Sequence, residues 1–201
     1  MQRSRSSTLT TRVLLICGTL ASVHALLHFA TVAWLTLLAP ASPPLYALVA
    51  SVHGLMPFLA RRITRVPGSA TITAGIAGVI VSATSPSGLV LLVPLLATGI
   101  TIDLVVGRSD RHSSSARRSE TRFVLAAAVL GVILFALSLS VFSPEHVTPM
   151  LLVGTLITRI VGEVVVAVAS GYLARALHRA GVGRSSQVGS HSRPSGDAPS
   201  K

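Results

Sequence analysis

Residues 152–177, "LVGTLITRIVGEVVVAVASGYLARAL", form an apolar stretch long enough to cross a bilayer, interrupted by two formal charges near its middle. Arg159 and Glu163 stand four apart, with apolar or small neighbours on every side. On a helix that spacing puts both on one face, where they can pair directly. Ionisable residues within a membrane are expensive and mark a site by default. A plainer reading is that the pair only neutralises itself. Against it, two apolar residues would serve the same helix with no desolvation cost.

The rest of the chain is of the same kind. Of its 201 residues 50% are hydrophobic and 11% charged, and the mean hydropathy is +0.71. A soluble domain carries roughly a quarter charged residues, so this is a polytopic membrane protein. A net charge of +11 is the size that draws nucleic acid. Here, though, no basic helix interleaves with aromatics and the arginines are scattered among short loops, so no nucleic-acid partner is expected. Cys17, the single cysteine, lies in an apolar run. It supports neither a disulfide framework nor a thiolate metal site.

A membrane-crossing helix needs about 20 apolar residues. Six stretches qualify, at about 12–38, 45–60, 70–84, 88–106, 122–142 and 148–177, of which the second and third are short. The first keeps Trp34 near its far end and has no small-residue cleavage site, so it is read as a retained span rather than a signal peptide. Arg3, Arg5 and Arg12 precede the first span, Arg61, Arg62 and Arg65 follow the second, five arginines separate the fourth from the fifth, and Arg175, Arg179, Arg184, Arg193 and Lys201 close the chain. The intervening loops "APASPPL", "TSPSG" and "SPEHVT" contain no Lys or Arg. Positive residues mark the cytoplasmic side. The expected architecture is therefore an all-α bundle of six transmembrane helices in the plasma membrane with both termini cytoplasmic. Residues 1–11 make an inner tail, 12–181 the transmembrane domain, and the Ser/Gly/Pro-rich 182–201 a disordered tail. Basic segments next to anionic lipid gain ~1 kcal/mol per Lys or Arg, which makes membrane lipids a partner.

Small residues recur every four positions at Ala70, Ala74, Gly78 and Ser82 on the third span, and at Gly154, Thr158 and Gly162 on the sixth. Such ridges let helices approach closely in lipid. Ala21 and Ala25 form a shorter ridge on the first span, suited either to internal packing or to a partner membrane protein. His24 and His28 share one face of that span, and His53 lies in the second. Counted at 1.5 Å per residue, these histidines and the Arg159–Glu163 pair fall roughly 12 to 22 Å below the outer surface. Trp34 and Tyr46 lie near the mouth. Asp103, near the inner end of the fourth span, is placed to cap a helix or pair with a loop arginine. No GxSxG, HExxH or Walker A sequence occurs, so no enzymatic activity and no cofactor is expected.

From "RRITRVPGSATITAGIAG" through the turn "SPSG" to "GLVLLVPLLATGITIDLVVG", a basic Pro-Gly loop leads into a small-residue helix, an outer turn, and a helix with Gly-x-x-x-Asp near its inner end. This layout, with the ending "GEVVVAVASGYLARALHRAG", resembles the substrate-binding S component of energy-coupling factor (ECF) transporters. The thiamin-precursor group is nearest, and the resemblance covers about residues 12–181. It implies capture of a vitamin from the outer face, with a separate transmembrane coupling subunit and ATPase subunits as partners. Members commonly carry Ala-x-x-x-Ala on the first helix facing the coupling subunit, and Ala21 and Ala25 match. On this reading Glu163 accepts hydrogen bonds from an aminopyrimidine-like or cationic ligand and Arg159 holds it in place. His24, His28 and His53 add polar contacts, and Trp34 or Tyr46 an aromatic wall. Two competitors remain open. One is a transition-metal carrier using His24, His28, His53 and Glu163, against which Arg159 beside a cation is repulsive. The other is a membrane scaffold whose polar residues only pack helices.

The orientation is tested directly by labelling. In a Cys17→Ser background, cysteines at Ser42 and Ser113 label oppositely with an impermeant reagent added to intact cells, only the first reacting. Ready outside labelling at position 113 overturns the orientation.

Overall fold

A computed structural model describes residues 10–85, 88–107, 116–140 and 148–181, and all regular structure among them is helical. In chain order the elements are α1 (Thr11–Ala41), α2 (Pro43–Ser51), a 3-10 turn (Val52–Gly54), α3 (Leu55–Thr64), α4 (Ser69–Thr84), a second 3-10 turn (Gly88–Leu91), α5 (Leu92–Gly107), α6 (Ala116–Ser138) and α7 (Pro149–Arg179). The expected tails lie outside the described residues, apart from Thr10 and Thr11, as do most of the loop after α5 and residues 141–142 of the fifth expected span. Five helical segments are long and apolar enough to cross a membrane: Thr11–Ala41, Pro43–Thr64, Gly88–Gly107, Ser119–Ser138 and Pro149–Arg179. The chain is a multi-pass membrane protein.

The sixth rod, α4, has 16 residues and is about 24 Å long, short of the roughly 30 Å hydrocarbon thickness. It is also deeply enclosed. Ala70, Ala74, Ala77 and Val81 are fully buried, and α4 packs on α1, α3 and α5. Its small-residue ridge is what allows this. A Cβ at Gly99 of α5 would stand 2.6 Å from Thr71 Cα and 2.8 Å from Ala70 O, and one at Gly78 would stand 2.6 Å from Leu92 Cδ1. Gly131 of α6 likewise meets the Ile160 backbone of α7, its absent Cβ 2.9 Å from Ile160 Cα. Hydrophobicity does not drive helices together in lipid, so close backbone approach supplies the packing energy.

Local sequence explains the helix ends. Thr10 and Thr148 accept from Val13 N (3.4 Å) and Leu151 N (3.3 Å) as N-caps. Pro43 and Pro44 open α2, where missing N–H groups cost nothing. α3 closes on Arg65 at φ 54°, and Gly68 at φ 90° makes the turn into α4. Asp103 of α5 then caps α4 from outside it, Oδ2 accepting from Thr71 N (2.8 Å) and Thr71 Oγ1 (2.7 Å). Its Oδ1 lies 3.6 Å from Arg61 Nε. Asp103 thus both caps a helix and pairs with an arginine.

Two sequence expectations are corrected here. The second span does not stop at residue 60: helix continues to Thr64, carrying Arg61 (1% exposed) into the bundle rather than into a loop. The Ala21/Ala25 ridge does not face outward. Both alanines lie on the buried stripe of α1 with Cys17, His24 and His28, and Cys17 Sγ reaches Ser69 O on α4 at 3.6 Å. A residue fully enclosed by its own chain has no surface to offer a coupling subunit. Ala21→Leu should therefore overpack the α1 seam and cost about 1–3 kcal/mol, read as a lower Tm in detergent. Leu at the exposed neighbour Ser22 should leave Tm unchanged. Equal Tm for the two variants contradicts the inward placement.

Candidate substrate-binding site

The second rod is not one helix. After α2 the backbone tightens into the 3-10 turn Val52–Gly54 before α3 resumes, and such a break inside a helix often marks a functional site. The broken rod runs parallel to α7 in close contact with it. Pro44 faces Gly154, Ser51 faces Gly162, and Gly54 faces Glu163: a Cβ on Gly162 would be 2.6 Å from Ser51 Oγ, and one on Gly54 would be 2.7 Å from Glu163 Oε2. Glycine at 54 therefore makes the space that the carboxylate occupies.

Arg159 reaches across the same interface. Its Nη1 donates to Ala47 O at 3.3 Å, and its Nε lies 3.5 Å from Glu163 Oε1. The guanidinium thus serves a carbonyl just ahead of the helix break and neutralises the carboxylate one turn along α7. Glu163 is fully buried, and neither of its oxygens has a hydrogen-bond partner among the described residues. An acceptor left like this forfeits about 1–3 kcal/mol or more. Such a group is either an expense without return or one kept free for a ligand.

Beside it lies a cavity of about 110 Å³. One wall is polar: His28 from α1, Tyr46 from α2, His53 from the 3-10 turn, and Arg159 with Glu163 from α7. The facing wall is apolar, with Val81, Leu91, Pro94, Leu95 and Leu134. Leu35, Ala50, Gly54 and Thr98 complete the lining.

The histidines divide into distinct roles. His53 Nδ1 is 3.2 Å from Ala50 O and its Nε2 3.2 Å from Thr31 Oγ1. A carbonyl can only accept, which assigns a proton to Nδ1. The Thr31 hydroxyl gives its one proton back to Leu27 O at 2.8 Å, so its approach to Nε2 is a close polar contact that fixes the ring, and His53 seals the helix break through Nδ1. His28 lines the cavity, and its buried Nε2 has no partner among the described residues. His24 is fully buried behind His53, their ring centroids 5.4 Å apart in an edge-on arrangement, and does not line the cavity. Trp34 is 65% exposed on the outside of α1, and Leu35 takes the place at the cavity that the sequence reading gave it. Tyr46 is thus the aromatic residue at the cavity. Among the described residues no three His, Cys, Asp or Glu side chains converge to hold a metal ion, so the metal-carrier reading gains no support from the geometry.

Sequence reading missed Gly54, Thr31 and the carbonyl of Ala47. A His-Gly pair inside an apolar run was the available signal for the break. The other two act through a backbone group and a back-bonded hydroxyl, which leave no trace in residue types.

No protein-family model matches the chain, and no curated protein matches it. Among solved structures the fold is similar to the crystal structure of an S-component of an ECF transporter, with a TM-score of 0.75 over 87% of this chain and 88% of that one, at 20% sequence identity. At that identity the likeness is one of fold. It agrees with the architecture expected from the sequence resemblance.

Gly54→Ala should push the Glu163 carboxylate from its place and lower Tm in detergent. Adding Glu163→Asp, which draws the carboxylate back by one methylene, should recover part of the loss. Strictly additive losses mean the two residues do not touch.

Proposed function

We propose that the chain is the substrate-binding membrane subunit of an ECF-type transporter, taking a small vitamin or vitamin precursor from the outer face of the plasma membrane. Energy comes from separate ATPase subunits acting through a transmembrane coupling subunit. The observation that carries this reading is the fully buried Glu163 carboxylate, paired with Arg159 but without a hydrogen-bond partner among the described residues, beside a small cavity in a bundle with the S-component fold.

The chemistry of the walls describes the ligand. Glu163 offers two acceptors in line for adjacent N–H donors, His28 Nε2 a further contact, and Tyr46 a hydroxyl and a ring face. Arg159 lies beside the carboxylate and orients it. The opposite wall suits methyl or ring carbon edges. Ligand pockets for drug-sized molecules run to roughly 300–1,000 Å³, while an apolar cavity of about 150 Å³ accepts benzene. A volume of about 110 Å³ is below both figures, which favours a single-ring, hydroxymethylpyrimidine-like precursor over the two-ring thiamin itself.

The test separates a ligand site from a self-neutralising pair. Glu163→Gln alone leaves Arg159 buried without its counter-charge, a loss of about 3–5 kcal/mol for breaking such a pair. The double variant Arg159→Met/Glu163→Gln removes both charges and should recover expression and Tm. Hydroxymethylpyrimidine should raise the Tm of the wild-type protein and leave that of the double variant unchanged. An equal rise in both shows that the pair only packs helices and defeats the assignment of Glu163.

A further inference from the structure

The sequence reading treats Arg62 as a topology charge, yet its side chain hydrogen-bonds two neighbouring helices at once. Nη1 and Nη2 form a two-pronged fork on Glu120 of α6, to Oε1 and Oε2 at 2.9 Å each. Nε donates to Ser170 Oγ at 3.0 Å, and Nη2 also to Ala167 O at 3.1 Å, both on α7. The guanidinium carbon lies 3.9 Å from the centre of the Phe123 ring. Gly171 leaves room for it, since a Cβ there would be 3.2 Å from Arg62 Cζ. Fork geometry of this kind is specific to arginine and is not reproduced by lysine.

What matters is where this clamp sits relative to the cavity. The broken rod touches α7 at Gly54, the residue leading into α3, against Glu163, and again at Arg62 of α3 against Ala167, Ser170 and Gly171. The two contacts are eight residues apart along the rod, about 12 Å at 1.5 Å per residue, and similarly spaced on α7. A helix fixed at two points to a parallel neighbour has its register set by both. The lower contact is directional and strong. The upper one is a steric fit of a glycine against a carboxylate, helped only by the single, longer Arg159 Nη1–Ala47 O bond at 3.3 Å further out along the rod.

We propose that Arg62 and Glu120 are positioning residues for the cavity: their fork fixes the register of α3 on α7 and so keeps the Val52–Gly54 turn seated over Glu163. The clamp has a built-in point of release. Glu120 is 48% exposed, and the equally open Arg175 approaches the same Oε1 at 3.7 Å, so this carboxylate accepts a competing cation without rearrangement of the bundle. Loosening the fork on the inner side lets α3 slide, and the turn that forms the cavity floor moves away from α7.

The test needs no ligand. In a Cys17→Ser background, Ala50→Cys reports on the cavity and Ser42→Cys, at the junction of α1 and α2, on the outer surface. Each is labelled in membranes with an impermeant maleimide, and the ratio of the two rates is compared across variants. Glu120→Gln, which keeps the shape but weakens the fork, should raise the ratio at least threefold. Arg62→Lys, which keeps the charge but loses the fork, should do the same, and if it expresses poorly the Glu120 variant carries the test alone. Arg179→Gln removes an exposed inner-face charge outside the clamp and should leave the ratio at its wild-type value. A wild-type ratio in Glu120→Gln, or an equal rise in Arg179→Gln, overturns the proposal.

Discussion

A carboxylate taken out of water without hydrogen bonds survives folding only if something nearby balances its charge and nothing else can occupy its place. Glu163 meets both conditions where the Val52–Gly54 turn seats on α7. Gly54 vacates the volume that holds the carboxylate, and Arg159 supplies the opposite charge from one turn away. The same guanidinium bonds the Ala47 carbonyl ahead of the helix break, and His53 bonds that of Ala50. Unmet backbone groups inside a membrane are tolerated only where protein groups satisfy them. The break and the charged pair are therefore mutually dependent, and the cavity lies where they meet.

Much of the rest of the bundle can be understood as support for that contact. Small residues carry the α4–α5 and α6–α7 seams to backbone contact, which keeps the apolar wall opposite Glu163 close enough to enclose a small volume. At the inner end, Asp103 fastens α5 to α4 and to Arg61, while Arg62 fastens α3 to α6 and α7. Two consecutive arginines thus tie one short helix to its neighbours on opposite sides. Residues that orientation rules treat as markers of the cytoplasmic face are here structural ties.

The helical membrane architecture was legible from apolar run lengths, and the pairing of Arg159 with Glu163 from their spacing of four on one helix face. Asp103 was legible as a cap because its place near a helix end left it little else to do. Other features were hidden for identifiable reasons. Ala21 and Ala25 satisfy a small-residue spacing that serves internal and external packing equally, and only the burial of their stripe decides between them. Trp34 and Leu35 are adjacent in sequence, yet a 100° step around the helix separates lipid from cavity. The division of labour among His24, His28 and His53 depends on which ring nitrogens find partners. Residue type and depth carry no information on that.

The most direct measurement is the proximity of the broken rod to α7 in native membranes. Ser51 Cβ lies 3.0 Å from the position of a Cβ on Gly162, near the Cβ separation a disulfide requires, about 3.5–4.5 Å. Ser51→Cys with Gly162→Cys, in a Cys17→Ser background, should cross-link on mild oxidation, giving a reducible shift in electrophoretic mobility. Ala74→Cys with Gly99→Cys, whose Cβ positions are 2.9 Å apart, serves as the reference for an α4–α5 contact. Cross-linking of both pairs is the expected result. A reference pair that links while the 51–162 pair stays reduced would mean that the helix break does not rest on α7, and that Glu163 is not held as described.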